Sequence, residues 1–140
     1  MGAVRHLYVH VPFCAHRCGY CDFTTVTGHE QRHAAYVDAL LAELAERGAC
    51  LADPLETVYL GGGTPSRLGP DLLGALLDRL PGAQAETTVE CNPEDVTDDL
   101  ARVLAPAAAG CPSARRPSRR SCSRCSSGAP APTGSARPSG

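Results

Sequence analysis

Three times in the first 105 residues a short run of strand-forming residues is followed by an amphipathic helical stretch, and that alternation restricts the chain to one kind of architecture. His6-Leu7-Tyr8-Val9-His10-Val11 places Leu7, Val9 and Val11 on one face, and Pro12 closes the run. From His29 to Arg47 the period lengthens. Tyr36, Val37, Leu40, Leu41 and Leu44 fall on one stripe of a 3.6-residue repeat, and Gly48 marks its end. Glu56 to Leu60 reads as a second strand, broken by Gly61-Gly62-Gly63-Thr64-Pro65. Leu72, Leu73, Leu76, Leu77 and Leu80 predict a second helix between Pro70 and Pro81. Glu86 to Cys91 reads as a third strand that stops at Asn92-Pro93, and Thr97 is placed to cap a last short helix carrying Leu100, Val103 and Leu104. Strands alternating with helices pair in parallel through crossover connections, so the expected class is α/β. Three such units are too few to close a barrel. Residues 1–105 are therefore expected to be the first part of a larger domain.

The remainder, 106–140, has a different composition. Residues 1–105 hold all fifteen acidic residues and seven arginines, whereas 106–140 hold six arginines and no acid, which divides the chain's net charge of −2 into −8 and +6. This tail contains no Leu, Ile, Val, Met or aromatic residue. A segment that cannot bury apolar surface cannot offset the entropy of ordering, so the tail is expected to be disordered. Its arginines would attract polyanions without specificity, which argues against a specific nucleic-acid partner, and the lone Cys122-x-x-Cys125 pair, like Cys111, lacks companions for a metal site. A Ser/Arg/Pro/Ala/Gly stretch in a lysine-free chain is also what out-of-frame translation of GC-rich DNA yields, and we expect a frameshift after about residue 110. The start lacks the charged and apolar regions of a secretory signal, and no run of eighteen apolar residues predicts a membrane span.

Within this frame three constellations carry chemistry. Cys14, Cys18 and Cys21 lie within eight residues, directly after the first strand. Clustered thiols favour metal or catalytic use in a reducing compartment, which points to the cytoplasm. Thiolates so closely spaced can hold a soft metal centre, either an iron–sulfur cluster or a zinc ion completed by His10, His16 or His29. Three local ligands for a four-iron cluster leave one iron open. The second constellation is Gly61-Gly62-Gly63-Thr64-Pro65, which reads either as a plain turn or as backbone that approaches a ligand closely. The third is Glu90-Cys91-Asn92-Pro93, where the carboxylate is either solvated or ligand-binding. Cys50 and Cys91 read as buried thiols.

The run Tyr8-Val9-His10-Val11-Pro12-Phe13-Cys14-x-x-x-Cys18-x-Tyr20-Cys21-Asp22-Phe23, followed in register by Gly61 to Pro65, resembles the signature of radical S-adenosylmethionine (SAM) enzymes. Within that superfamily it is similar to the oxygen-independent coproporphyrinogen III oxidases, and the Cys21-Asp22-Phe23 ending to their heme chaperone branch, HemW. The similarity runs from about Tyr8 to Leu104. It implies a partial (β/α) barrel in which Cys14, Cys18 and Cys21 bind three irons of a [4Fe-4S] cluster and SAM occupies the fourth. Gly62, Gly63 and Thr64 would receive the methionine end of SAM, and Glu90 its ribose. Tyr8 and Tyr20 match positions near that cofactor, though both could equally be packing aromatics. The implied partners are a tetrapyrrole (heme or coproporphyrinogen III), an electron donor such as flavodoxin or ferredoxin, and heme-acceptor proteins. The implied functions are heme binding and delivery or, alternatively, oxidative decarboxylation of propionates; a small non-catalytic metal-binding module is the rival of another class. Because the resemblance stops early, little or no turnover is expected of this chain alone.

Overall fold

The computed structural model describes residues 2–109. Of the tail expected at 106–140, residues 106–109 are described and are helical rather than disordered; the remainder, with the expected frameshift and with Cys111, Cys122 and Cys125, lies outside the described residues. Three strands, β1 (His6–Val11), β2 (Leu55–Gly62) and β3 (Ala83–Val89), form one parallel sheet in the order β1-β2-β3. Helices α1 (His33–Arg47), α2 (Gly69–Leu77) and α3 (Asp98–Ala109) follow them in turn. The alternation read from the sequence is thus the α/β arrangement observed.

The register explains which side is sealed. Val9 pairs with Leu60 and Leu7 with Val58. Val9, Val11, Val58 and Leu60 are buried in one core with Val37 of α1, Leu73 and Leu76 of α2, and Leu100 of α3. Each fully buried Leu or Val contributes roughly 1.5–3 kcal/mol of apolar transfer free energy, so this helix-facing side holds the sheet together. The alternate residues fall on the other side: Tyr8 lies opposite Tyr59, and His10 opposite Gly61. Tyr8 and Tyr59 are both exposed there.

Several element boundaries differ from expectation. The glycine run does not break β2 at Gly61, because Gly61 and Gly62 pair with His10 and Val11. A strand partner that continues supplies the hydrogen bonds, whatever the local propensity. The second helix ends at Leu77, yet Leu80 still packs against the core from the following turn. The third strand begins earlier, at Ala83 opposite Leu55, and ends at Val89, leaving Glu90 and Cys91 beyond it. Thr97 caps α3 as expected, its hydroxyl accepting the Leu100 N–H at 3.2 Å. The helix then runs through Pro106 to Ala109, past the boundary expected at residue 105. Among the described residues no helix is long and apolar enough to cross a membrane.

Candidate functional site

At the C-terminal ends of the three strands, loops emerge side by side. The glycine loop is fastened to the exit of β1: Gly63 N–H donates to the Val11 carbonyl and Thr64 N–H to the Phe13 carbonyl, both at 2.8 Å. The fit is close enough to require glycine. A Cβ on Gly63 would lie 2.5 Å from the Pro12 carbonyl carbon, a backbone atom that cannot turn aside. Gly62 sits at φ +109°, where its Cβ would also meet the His10 ring at 2.3 Å. The next loop joins through Glu90, whose N–H donates to the Leu60 carbonyl at 3.0 Å.

The Glu90 side chain is held on both oxygens. Tyr59 donates its hydroxyl to Oε1 at 2.5 Å, and the Gly62 N–H reaches Oε2 at 3.2 Å. The bond to Glu90 is the main cause that pushes the Tyr59 phenol up to about 12, with burial and the carboxylate charge adding to it. Tyr8 stacks on Tyr59 with ring centroids 5.9 Å apart, and its phenol is raised by burial and then by Glu90. Its hydroxyl lies 3.2 Å from His10 Nδ1, while His10 Nε2 lies 3.0 Å from the Thr24 carbonyl. A carbonyl only accepts, so Nε2 carries a proton and donates it to Thr24. Both nitrogens of His10, one of the three histidines considered for zinc, are thereby engaged.

The cysteine loop leaves β1 through Phe13 and is tied at its neck by Cys14 N–H to the Val26 carbonyl and Val26 N–H to the Pro12 carbonyl, both 2.9 Å. Cys14, half-buried, receives the Thr64 hydroxyl at 3.8 Å from its Sγ. Burial raises its thiol pKa most, and the neighbouring Cys21 and Cys18 raise it further; the Thr64 bond and the Arg67 charge act in the opposite direction. Cys18 is exposed, Cys21 half-buried, and a turn joins them, with Cys21 N–H donating to the Cys18 carbonyl at 3.1 Å. All three are free thiols. Among the described residues no three His, Cys, Asp or Glu side chains stand close enough to hold a single metal ion. A cluster makes a different demand, since each thiolate binds its own iron, and a hydroxyl donated to one sulfur is the kind of contact that tunes such centres. The donor set fits a cluster on chemical grounds.

The structure therefore brings Tyr8, Gly62 and Glu90 together on one ledge and sets Thr64 against Cys14. Tyr20 lies on the cysteine loop, 71% exposed. Cys50 is not buried as expected but exposed, because it falls in the turn after α1, and Cys91 is only half-buried. Sequence reading missed Tyr59, although period-two alternation already places it on the face of Gly61. It also missed Ser66, Arg67 and Asp95, which lie just beyond the motifs. A cleft of about 430 Å³ between α2, α3 and the sheet, lined by Val58, Leu77, Ala83 and Val103, contains none of these residues. The site is an open ledge at the strand ends.

Residues 8–113 match the family described as the Radical SAM superfamily, and the chain belongs to it. Its relatives lie in the branch that contains HemW heme chaperones and oxygen-independent coproporphyrinogen III oxidases. The chain is 40% identical over 106 residues to the heme chaperone HemW of Lactococcus lactis, covering 72% of this chain and 27% of that protein. It is 45% identical over 97 residues to HemW of Mycobacterium tuberculosis (63% and 25%), and 40% identical over 117 residues to the oxygen-independent coproporphyrinogen III oxidase of Paracoccus denitrificans (78% and 26%). Among solved structures, coproporphyrinogen III oxidase (HemN) from Escherichia coli, described as a radical SAM enzyme, superposes with a TM-score of 0.65 at 27% identity, over 76% of this chain and 26% of that one. The chain thus spans about a quarter of the length of these relatives. The family match runs beyond Leu104, where the resemblance was expected to stop. Membership implies a [4Fe-4S] cluster and SAM as cofactors.

Proposed function

We propose that Cys14, Cys18 and Cys21 hold the [4Fe-4S] cluster and that SAM lies on the adjoining ledge, against Gly62, Gly63, Thr64 and Glu90, with Tyr8 and Tyr20 beside it. The observation that carries this proposal is the pair of contacts joining the two halves: Thr64 touches the Cys14 sulfur while Gly62, two residues earlier, orients Glu90. Cluster and SAM together supply reductive cleavage of a sulfonium, chemistry no side chain here offers. The chain's own part is to bind and orient. Glu90, fixed on both oxygens, presents an acceptor for hydroxyl groups. The tight glycine backbone lets the loop close against Pro12 and His10, where a side chain would intrude. Thr64 fixes the spacing between ledge and loop.

The substrate class we assign is a tetrapyrrole, and the role that of a heme chaperone that binds heme and passes it to acceptor proteins, with flavodoxin or ferredoxin as electron donor. The Cys21-Asp22-Phe23 ending and the HemW relatives support this choice. The Paracoccus relative supports a second reading, oxidative decarboxylation of coproporphyrinogen III. We take residues 1–105 as the core of the activity, 106–140 as a separate basic tail, and the cytoplasm, where thiols stay reduced, as the compartment. β1 and β3 are the outer strands of the described sheet and present unpaired edges, so we expect little or no turnover from this chain by itself. Anaerobically reconstituted chain should bind heme saturably in an absorbance titration, and failure to bind heme would contradict the chaperone reading. Consumption of SAM coupled to decarboxylation would instead establish the oxidase.

A further inference from the structure

Behind the ledge lies a polar network that the expected cofactor contacts do not use. Ser66, 3% exposed, follows Thr64 by two residues in the 3-10 turn Pro65–Leu68. Its hydroxyl accepts the Asn92 N–H at 3.1 Å and donates to Asp95 Oδ2 at 2.9 Å. The other carboxylate oxygen, Oδ1, receives Arg67 Nη1 at 3.0 Å, and the Asp95 side chain is 11% exposed. Asp95 N–H donates to the Asn92 carbonyl at 3.0 Å, closing the turn that carries the carboxylate. Arg67 Nη2 also lies 3.8 Å from Glu30, at the far end of the segment carrying the cysteines.

We propose that Ser66 and Asp95 are positioning residues of the SAM site, a buried latch that fixes the glycine loop against the Glu90 loop. The inference rests on the SAM site proposed above. Two features support it. First, the latch is placed symmetrically: Ser66 lies two residues after Thr64, and Asn92 two residues after Glu90, so one hydroxyl ties together the backbones that bear both sets of contacts. Second, a buried hydroxyl and a nearly buried carboxylate are costly unless paired, and apolar side chains could fill the same space without that cost. What hydrogen bonds add is direction. Ser66 accepts one bond and donates another, and both Asp95 oxygens are engaged, so the two loops have one mutual setting. Without the latch the contacts remain on their loops but lose their mutual distance, and binding of a ligand that spans both should suffer.

The test uses the full 140-residue chain, reconstituted anaerobically with iron and sulfide, with iron content, SAM affinity by equilibrium dialysis and thermal unfolding measured on each variant. Ser66→Ala and Asp95→Asn should each weaken SAM binding about tenfold while iron content stays at the wild-type value. The double variant should lose no more than the worse single variant, because both break one connection. Arg67→Gln, which leaves the Ser66–Asp95 bond in place, should lose about threefold, and it decides the matter if the other two do not fold. Wild-type SAM affinity in these variants overturns the latch and leaves the SAM site standing. Joint loss of iron and SAM overturns it as well, since the residues would then support the fold alone. Absence of SAM binding by the wild-type chain removes the underlying site and the latch with it.

Discussion

The ledge and the cysteine loop touch through Thr64 at Cys14 and through His10 at the Thr24 carbonyl, but they are built in different ways. The ledge is made of strand ends: Gly61 and Gly62 are paired in the sheet, Gly63 and Thr64 are bonded to the exit of β1, and Glu90 is held by Tyr59 and Gly62. The cysteine loop is fastened at its neck by Cys14 and Val26, while Ala15 to Tyr20 are exposed. One region owes its shape to backbone hydrogen bonds shared with the sheet. In the other, three thiols are brought near one another by short spacing in the chain. The side proposed for SAM is therefore preorganised by the fold, and the side proposed for the cluster should take its final form from the irons it binds.

Four substitutions or conditions separate the two regions. Gly63→Ala should have the largest effect, because the new methyl meets the Pro12 backbone; we expect about 3 kcal/mol or more of destabilisation in urea unfolding. Unchanged stability would show that the ledge is not closed in this way. Cys18→Ser should reduce bound iron from about four per chain toward none, while the iron-free chain unfolds within about 0.5 kcal/mol of wild type. A large stability loss without iron would join the loop to the ledge energetically. Tyr59→Phe removes one of the two bonds on Glu90 and should weaken SAM binding by about 1 kcal/mol with iron content unaltered. Equal affinity would make the Gly62 bond sufficient.

The smallest effect concerns pH. His33 packs under the neck of the cysteine loop, its ring 4.1 Å from that of Phe13. Burial lowers its pKa; Glu30 opposes the shift and Arg67 adds to it. The folded chain therefore binds this proton less readily than the unfolded one. The stability concerned is present above about 6.5 and is lost as pH falls through that value toward the lower folded pKa. Melting temperature should decline from pH 7.5 to 5.5, and His33→Gln should flatten that portion of the decline. An identical slope in the variant would exclude His33 as the cause.

Much of this was legible in the sequence because periodicity reports burial directly. Val9, Val11, Val37, Leu73 and Leu76, all on expected stripes, are all in the core. The strand-end positions of Cys14, the glycine run and Glu90 followed from alternation alone. The continuation of β2 through Gly62 was not legible, since it depends on a partner 51 residues away rather than on local propensity. Nor were Ser66 and Asp95. A serine after a proline and an aspartate in an acidic stretch have no periodicity, and only the pairing of two separate loops gives them partners. Tyr59 lies between these cases: its face was predictable, but its bond to Glu90 required the register of β2 against β3.

The measurement that tests the central claim most directly is electron paramagnetic resonance of the reduced, reconstituted chain with and without SAM. A cluster held by Cys14, Cys18 and Cys21 with one iron open toward the ledge should give a spectrum whose g-values shift when SAM is added. A reduced cluster whose spectrum is unchanged by saturating SAM, or no cluster at all, would contradict it.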